Sequence, residues 1–144
     1  MGCVCLLVGL VSCTYTMRAT IAAEDVRPET TSMLAIGDNI DVIEFDGAPV
    51  QWLGTDDKSR YNGVIIPSGR RTMIGKYKNS GAQYSQTFDF EPEGFYYIYV
   101  NNGMLIASNL TSRSDWAGEK AQMERAILNA QATQTIRDGG AQQN

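Results

Sequence analysis

The 144-residue chain has no histidine. That removes the commonest general base, the commonest imidazole ligand for zinc and the commonest switch near neutral pH. Its three cysteines, Cys3, Cys5 and Cys13, all fall in the first thirteen residues. The rest of the chain can therefore form neither an internal disulfide nor a thiolate metal site. No apolar run reaches the ~20 residues that a membrane-spanning helix needs. Positive charge is not in excess either: 12 Lys and Arg against 16 Asp and Glu leave a net charge of -4. A chain of this sign attracts no polyphosphate, so nucleic acid is not an expected partner. No cofactor, no metal and no catalytic residue set is expected. What remains is an ordinary apolar fraction of 43% with 14 glycines and only 4 prolines. That suits one turn-rich domain whose core needs no covalent staple.

The apolar residues open the chain. Gly2 to Ser12 is small or apolar throughout and ends at Cys13. Its length is that of a signal-peptide core and too short for a span. The stretch Leu10-Val11-Ser12-Cys13 resembles the lipobox of bacterial lipoproteins, in which the cysteine is acylated and becomes the new N-terminus. The resemblance implies a signal peptide over 1–12, lipidation at Cys13, and a membrane partner reached through the lipid anchor. Multiple acyl chains anchor stably where one binds marginally, at ~0.8 kcal/mol per buried methylene. Thr14, rather than aspartate, follows the cysteine, which in that family favours the outer membrane of a cell envelope that has two. The chain departs from the pattern in having no Lys or Arg before the apolar run. Another export leader and a buried N-terminal strand are the alternative readings. An N-myristoylation signal fits worse, because Leu6 stands where that pattern needs Ser or Thr.

Residues 13–32 are polar, with Pro28 and several acidic residues, and read as the lipidated cysteine and its tether, although an early edge strand or a short helix would also fit. Residues 33–112 read as strands divided by turns. Asp46-Gly47 joins the apolar runs Ile40–Phe45 and Ala48–Leu53, a hairpin signal because a type I′ turn needs positive φ at both central residues. Pro49, lacking an amide hydrogen, belongs at a strand start or an edge. Tyr84, Gln86, Phe88 and Phe90 alternate with Ser85, Thr87 and Asp89, so one face of that strand is buried and one is wet. Phe95–Val100 is bulky on both faces and reads as a central strand. Asn101-Asn102-Gly103 returns the chain into Met104–Ala107. The expected fold is mainly β: a small antiparallel β-sandwich of about seven or eight strands with one C-terminal α-helix.

Three segments, Asp46-Gly-Ala-Pro-Val50, Val64-Ile-Ile-Pro-Ser-Gly-Arg-Arg-Thr72 and Phe90-Glu-Pro-Glu-Gly-Phe-Tyr-Tyr97, follow one another in order. Over roughly Ile40 to Val100 they resemble the PEGA-like and transthyretin-like sandwich modules. Arg70-Arg71 departs from the Lys/Arg-His common there. The resemblance implies an extracytoplasmic adhesive or structural domain and no enzyme activity.

After Ser112 the period changes to that of a helix over 113–135, followed by a disordered tail over 136–144. Ser114 reads as its N-cap, with Asp115 and Glu119 in the first turn and Lys120 and Glu124 spaced to pair. Trp116, Met123 and Ile127 share a face, with Leu128 beside it.

Few residues offer chemistry. Trp52, Tyr84, Tyr96, Tyr97 and Tyr99 form the candidate ligand or partner surface, an aromatic platform for carbohydrate or a small apolar ligand. The competing reading is core packing. Asp56 and Asp57 read as a solvated loop rather than calcium ligands, and Asp89, Glu91 and Glu93 as a wet rim rather than an acid–base pair. Arg70 and Arg71 are exposed strand charges with an anionic headgroup as the sharper alternative. The Asn109-Leu110-Thr111 sequon matches by chance in a bacterial setting. The sequence thus points to a membrane-anchored envelope lipoprotein with a non-enzymatic structural or protein-interaction role and an envelope protein as partner. The alternative is a small-ligand or carbohydrate-binding module that uses the tyrosine-rich sheet.

Overall fold

The computed structural model describes residues 18–50 and 62–141. The leader, Cys13, Trp52 and the Asp56-Asp57 pair lie outside them. Nine strands are described: β1 Arg18–Ile21, β2 Thr31–Ile36, β3 Ile40–Phe45, β4 Ala48–Pro49, β5 Asn62–Pro67, β6 Gly69–Tyr77, β7 Gln83–Phe90, β8 Phe95–Asn101 and β9 Met104–Asn109. One 3-10 turn, Pro28–Thr30, precedes β2, and a second, Ser114–Trp116, leads into helix α1, Ala117–Ala141. The strands form two sheets in the orders β1-β5-β2-β8-β9 and β4-β3-β6-β7, a small mainly β sandwich with one C-terminal helix.

The four-stranded sheet is antiparallel throughout. The five-stranded sheet is mixed, because β1 runs parallel to β5 and β2 parallel to β8. Parallel neighbours need long crossovers, and here the chain supplies them by visiting the other sheet between partners. The central strands of the mixed sheet are consequently covered on both faces. All six residues of β2 are buried, and they include Thr31 and Ser32. Both hydroxyls are satisfied: Thr31 Oγ1 donates to the carbonyl of Arg27 at 2.7 Å and Ser32 Oγ to that of Glu91 at 2.7 Å.

Strand alternation divides the apolar residues between two cores. Leu34, Ile36, Val64, Ile66, Tyr96 and Ile98 face the four-stranded sheet and meet Ile40, Val42, Met73 and Phe90. Met33, Ala35, Ile65 and Phe95 face the other way, against Met123 and Ile127 of α1. The helix therefore docks on the sheet as a third layer. Burying side chains such as Leu34 or Phe95 stabilises the fold by about 1.5–3 kcal/mol each.

The expected hairpins form. Asp46 and Gly47 both have positive φ, as do Asn102 and Gly103. Pro49 sits on β4, at the edge of its sheet. Several expectations are corrected. Residues 18–32 are not a tether, and the alternative of an early edge strand holds: Arg18–Ile21 is an edge strand paired with β5, and Val26 is buried in the helix-side core. Arg-Ala-Thr-Ile is too short to announce a strand, and its partner lies more than forty residues along. Ser114 is not the N-cap, because it lies inside the 3-10 turn, and the cap position, Arg113, makes no side-chain cap bond. The helix also continues to Ala141, through residues 136–141 of the expected tail and past Gly139-Gly140.

The topology gives the domain two distinct ends. Arg18 lies opposite Asn62, which pairs with Ile36, which pairs with Ile98. This end also carries the Asn102-Gly103 hairpin and the exposed Met104. Thr31, Pro67, Glu93 and Phe95 lie at the other end, about 17 Å along β2.

Candidate functional site

The far end is tied together by the crossing from β7 to β8, Glu91-Pro92-Glu93-Gly94. The Glu91 amide donates to the Tyr96 hydroxyl at 2.9 Å, the Gly94 amide to the Glu91 carbonyl at 3.0 Å and the Glu93 amide to the Thr31 carbonyl at 2.9 Å. Glu93 adopts φ 61°, uncommon for a residue with a side chain. Gly94 is required by close approach: a Cβ there would stand 2.5 Å from the Tyr96 ring and 2.8 Å from the Glu91 carbonyl oxygen. The neighbouring turn after β9 is fixed by Asn109, whose Oδ1 accepts both the Thr111 amide at 2.9 Å and the Thr111 hydroxyl at 2.6 Å. Thr111 Oγ1 in turn accepts the Phe95 amide at 3.0 Å. The glycosylation-like triplet thus works as a local Asx turn.

Between this end and α1 lies a half-open groove of 520 Å³. Pro28, Met33, Ile127 and Leu128 supply its apolar surface. Met33 and Ile127 are buried, whereas Leu128 is 60% exposed at the lip. Thr31, Thr111, Glu93, Glu124 and Lys120 supply the polar rim. Lys120 Nζ donates to the Thr111 carbonyl at 3.4 Å and stands 3.7 Å from Glu124. The volume is within the range of small-molecule and peptide pockets, and apolar walls with a few polar groups suit binding and orientation. Of the groove residues, sequence reasoning weighed Glu93 only as part of an acid pair, and Leu128, Lys120 and Glu124 only as parts of a helix. Ile127 was placed with Trp116 and Met123 on a helix face and Thr111 in the sequon; the groove itself carried no local signal, since its residues come from four separated stretches, 28–33, 93, 111 and 120–128.

The aromatic platform is not one surface. Tyr84 and Tyr96 face the inter-sheet core, with Tyr96 only 6% exposed and edge-on to Phe90 at 4.9 Å. Tyr97 and Tyr99 stack on the opposite face at 5.2 Å, and Tyr97 lies 5.4 Å from the Trp116 ring. The reason is alternation: residue 96 points away from 97 and 99. Among the described candidates, then, Tyr84 and Tyr96 pack in the sandwich core, while Tyr97 packs against the start of the helix. Trp52 lies outside the described residues.

Arg71 is occupied internally. Its Nε donates to the Pro67 carbonyl at 3.1 Å, Nη2 to the Ser68 carbonyl at 2.8 Å and Nη1 to Asp46 Oδ2 at 3.0 Å. Arg70 stands 3.9 Å from Asp89 on the surface. Beyond the groove, the Arg113 guanidinium bonds Asp115 at 2.6 Å and holds its carboxyl below the usual carboxylate range. Among the described residues no three His, Cys, Asp or Glu side chains gather to hold a metal ion, and no helix is long and apolar enough to cross a membrane.

Comparison with protein-family models, curated proteins and solved structures finds no match to the chain.

Proposed function

We propose that the chain is a bacterial envelope lipoprotein, acylated at Cys13, whose domain serves a non-enzymatic protein-interaction role. The observation that carries this reading is the Leu10-Val11-Ser12-Cys13 stretch at the end of a short apolar run. With Cys13 acylated, only four residues, Thr14 to Met17, separate the anchor from the start of β1 at Arg18, a reach of at most about 18 Å over five steps of chain. The domain would ride close to the bilayer, with the Asn102-Gly103 end toward the lipid and the groove toward the aqueous side. Outer-membrane residence, suggested by Thr14 after the cysteine, belongs to the same reading, as does the PEGA-like character of Ile40 to Val100. A carbohydrate platform on the tyrosines finds less support, because those rings are divided between two faces and used in packing.

The anchor is tested by metabolic labelling with an alkyne-bearing palmitate in a bacterial host expressing the chain and its Cys13→Ala variant. Label on the parent chain and none on the variant is expected. Equal label on both would remove the anchor from the account.

A further inference from the structure

We infer that the groove between α1 and the β7–β8 crossing is a docking site for a polypeptide segment of a partner protein that carries aliphatic and basic side chains in alternation. This deepens the interaction role proposed above and does not depend on the anchor. The floor sets the first requirement. Met33 and Ile127 present buried apolar surface, and Leu128 keeps an aliphatic side chain 60% exposed at the lip instead of turning it into the core. An aliphatic side chain laid between them would bury area now facing water.

The rim sets the second requirement. The basic groups nearest the groove are already committed: Arg27 to Asp25 and Glu29, Arg113 to Asp115, and Lys120 to Glu124. Glu91 and Glu93 are exposed and make no ion pair among the described residues. The excess charge at this end is therefore negative, and Glu93 lines the same groove as the apolar floor. A basic side chain entering beside an aliphatic one meets Glu93, unpaired among the described residues, on one wall, and on the other shares Glu124 with Lys120. An acidic segment meets repulsion at the same place, which supplies selectivity against it. The groove is too open to enclose a small molecule on all sides, but a strand or turn of peptide can lie along it with its backbone in water.

The test uses the full chain in non-ionic detergent micelles, which need no acylation at Cys13 and attract no basic peptide. Fluorescein-labelled peptides of alternating Leu and Lys, and of alternating Leu and Glu, are titrated and followed by anisotropy, with empty micelles as reference. Saturable binding of the Leu/Lys peptide and none of the Leu/Glu peptide is expected. The paired change Glu93→Gln with Glu124→Gln should weaken binding about tenfold, and Leu128→Ser about threefold. Both variants alter exposed side chains, so they should keep the far-ultraviolet circular dichroism and melting of the parent. Equal binding of both peptides, or a Leu/Lys affinity unchanged by either variant, would overturn the inference. Loss of palmitate label at Cys13 bears on the anchor alone and leaves this result standing.

Discussion

The two faces of the five-stranded sheet are built from alternate residues of the same strands, yet they end differently. On one face Leu34, Ile36, Val64, Ile66 and Ile98 meet a second sheet of comparable breadth, and the contact closes. On the other, Met33, Ala35, Ile65 and Phe95 meet a single helix. A helix is a cylinder about 10 Å across and cannot cover a five-stranded sheet. The part it leaves is the groove, bounded by Leu128 on the helix and Glu93 on the crossing turn. The sandwich side is thus closed by its second sheet, and the helix side leaves a groove uncovered.

Four expected outcomes can break or sharpen that contrast. The largest concerns the two cores themselves. Leu34→Ala should cost about 2–5 kcal/mol and lower amide exchange protection in both sheets. Met123→Ala opens a cavity of similar kind under the helix, but should raise exchange in α1 while β3, β6 and β7 keep theirs. Loss of protection in β6 together with α1 would show that the two faces are one cooperative unit. Next comes Gly94→Ala, where the new methyl meets the Tyr96 ring and the Glu91 carbonyl. It should lower the denaturant midpoint by the equivalent of about 1–3 kcal/mol.

Arg71→Ala, which removes the donor to the partly buried Pro67 and Ser68 carbonyls and the ion pair to Asp46, should cost about 1–2 kcal/mol by the same measurement. Arg71→Lys should recover little of it, since a point charge cannot reach all three acceptors. The smallest effect is the acid response of the helix start. Asp115 has a folded pKa held down by Arg113, so its contribution is present above the ordinary carboxylate pKa and is lost as pH falls through the lowered value. Asp115→Asn should melt slightly earlier than the parent at neutral pH and lack that acid-side loss, so that the two converge at low pH in a pH series of helix melting.

How much of this was legible beforehand follows from how local each feature is. Asp46-Gly47 announced its hairpin because only certain residues accept positive φ at both turn positions. The alternation from Tyr84 to Phe90 announced a half-buried strand, and the bulk of Phe95 to Val100 announced one covered on both faces. The division of the tyrosines was missed when they were grouped as one platform, although alternation alone keeps 96 and 97 off one face. The pairing of β2 with β8 was not, because parallel partners some sixty residues apart leave no mark on either segment. The strand at Arg18–Ile21 was legible only as one alternative for the same reason: four residues gain their strand character from β5 rather than from themselves. The groove is the extreme case. Thr31, Glu93, Thr111 and Leu128 are unremarkable in their own segments and become a site only when the crossing turn and the helix meet.

The central claim is that the chain is held at one end and open for binding at the other. Paramagnetic broadening by gadolinium-chelating lipids tests it most directly, with the isotopically labelled, lipid-anchored chain in nanodiscs. The amide signals of Asn102 and Gly103 should broaden strongly, while those of Glu93 and Thr111 stay sharp. Broadening of Glu93 and Thr111 as strong as that of Asn102 would contradict the account, because the groove would then face the lipid.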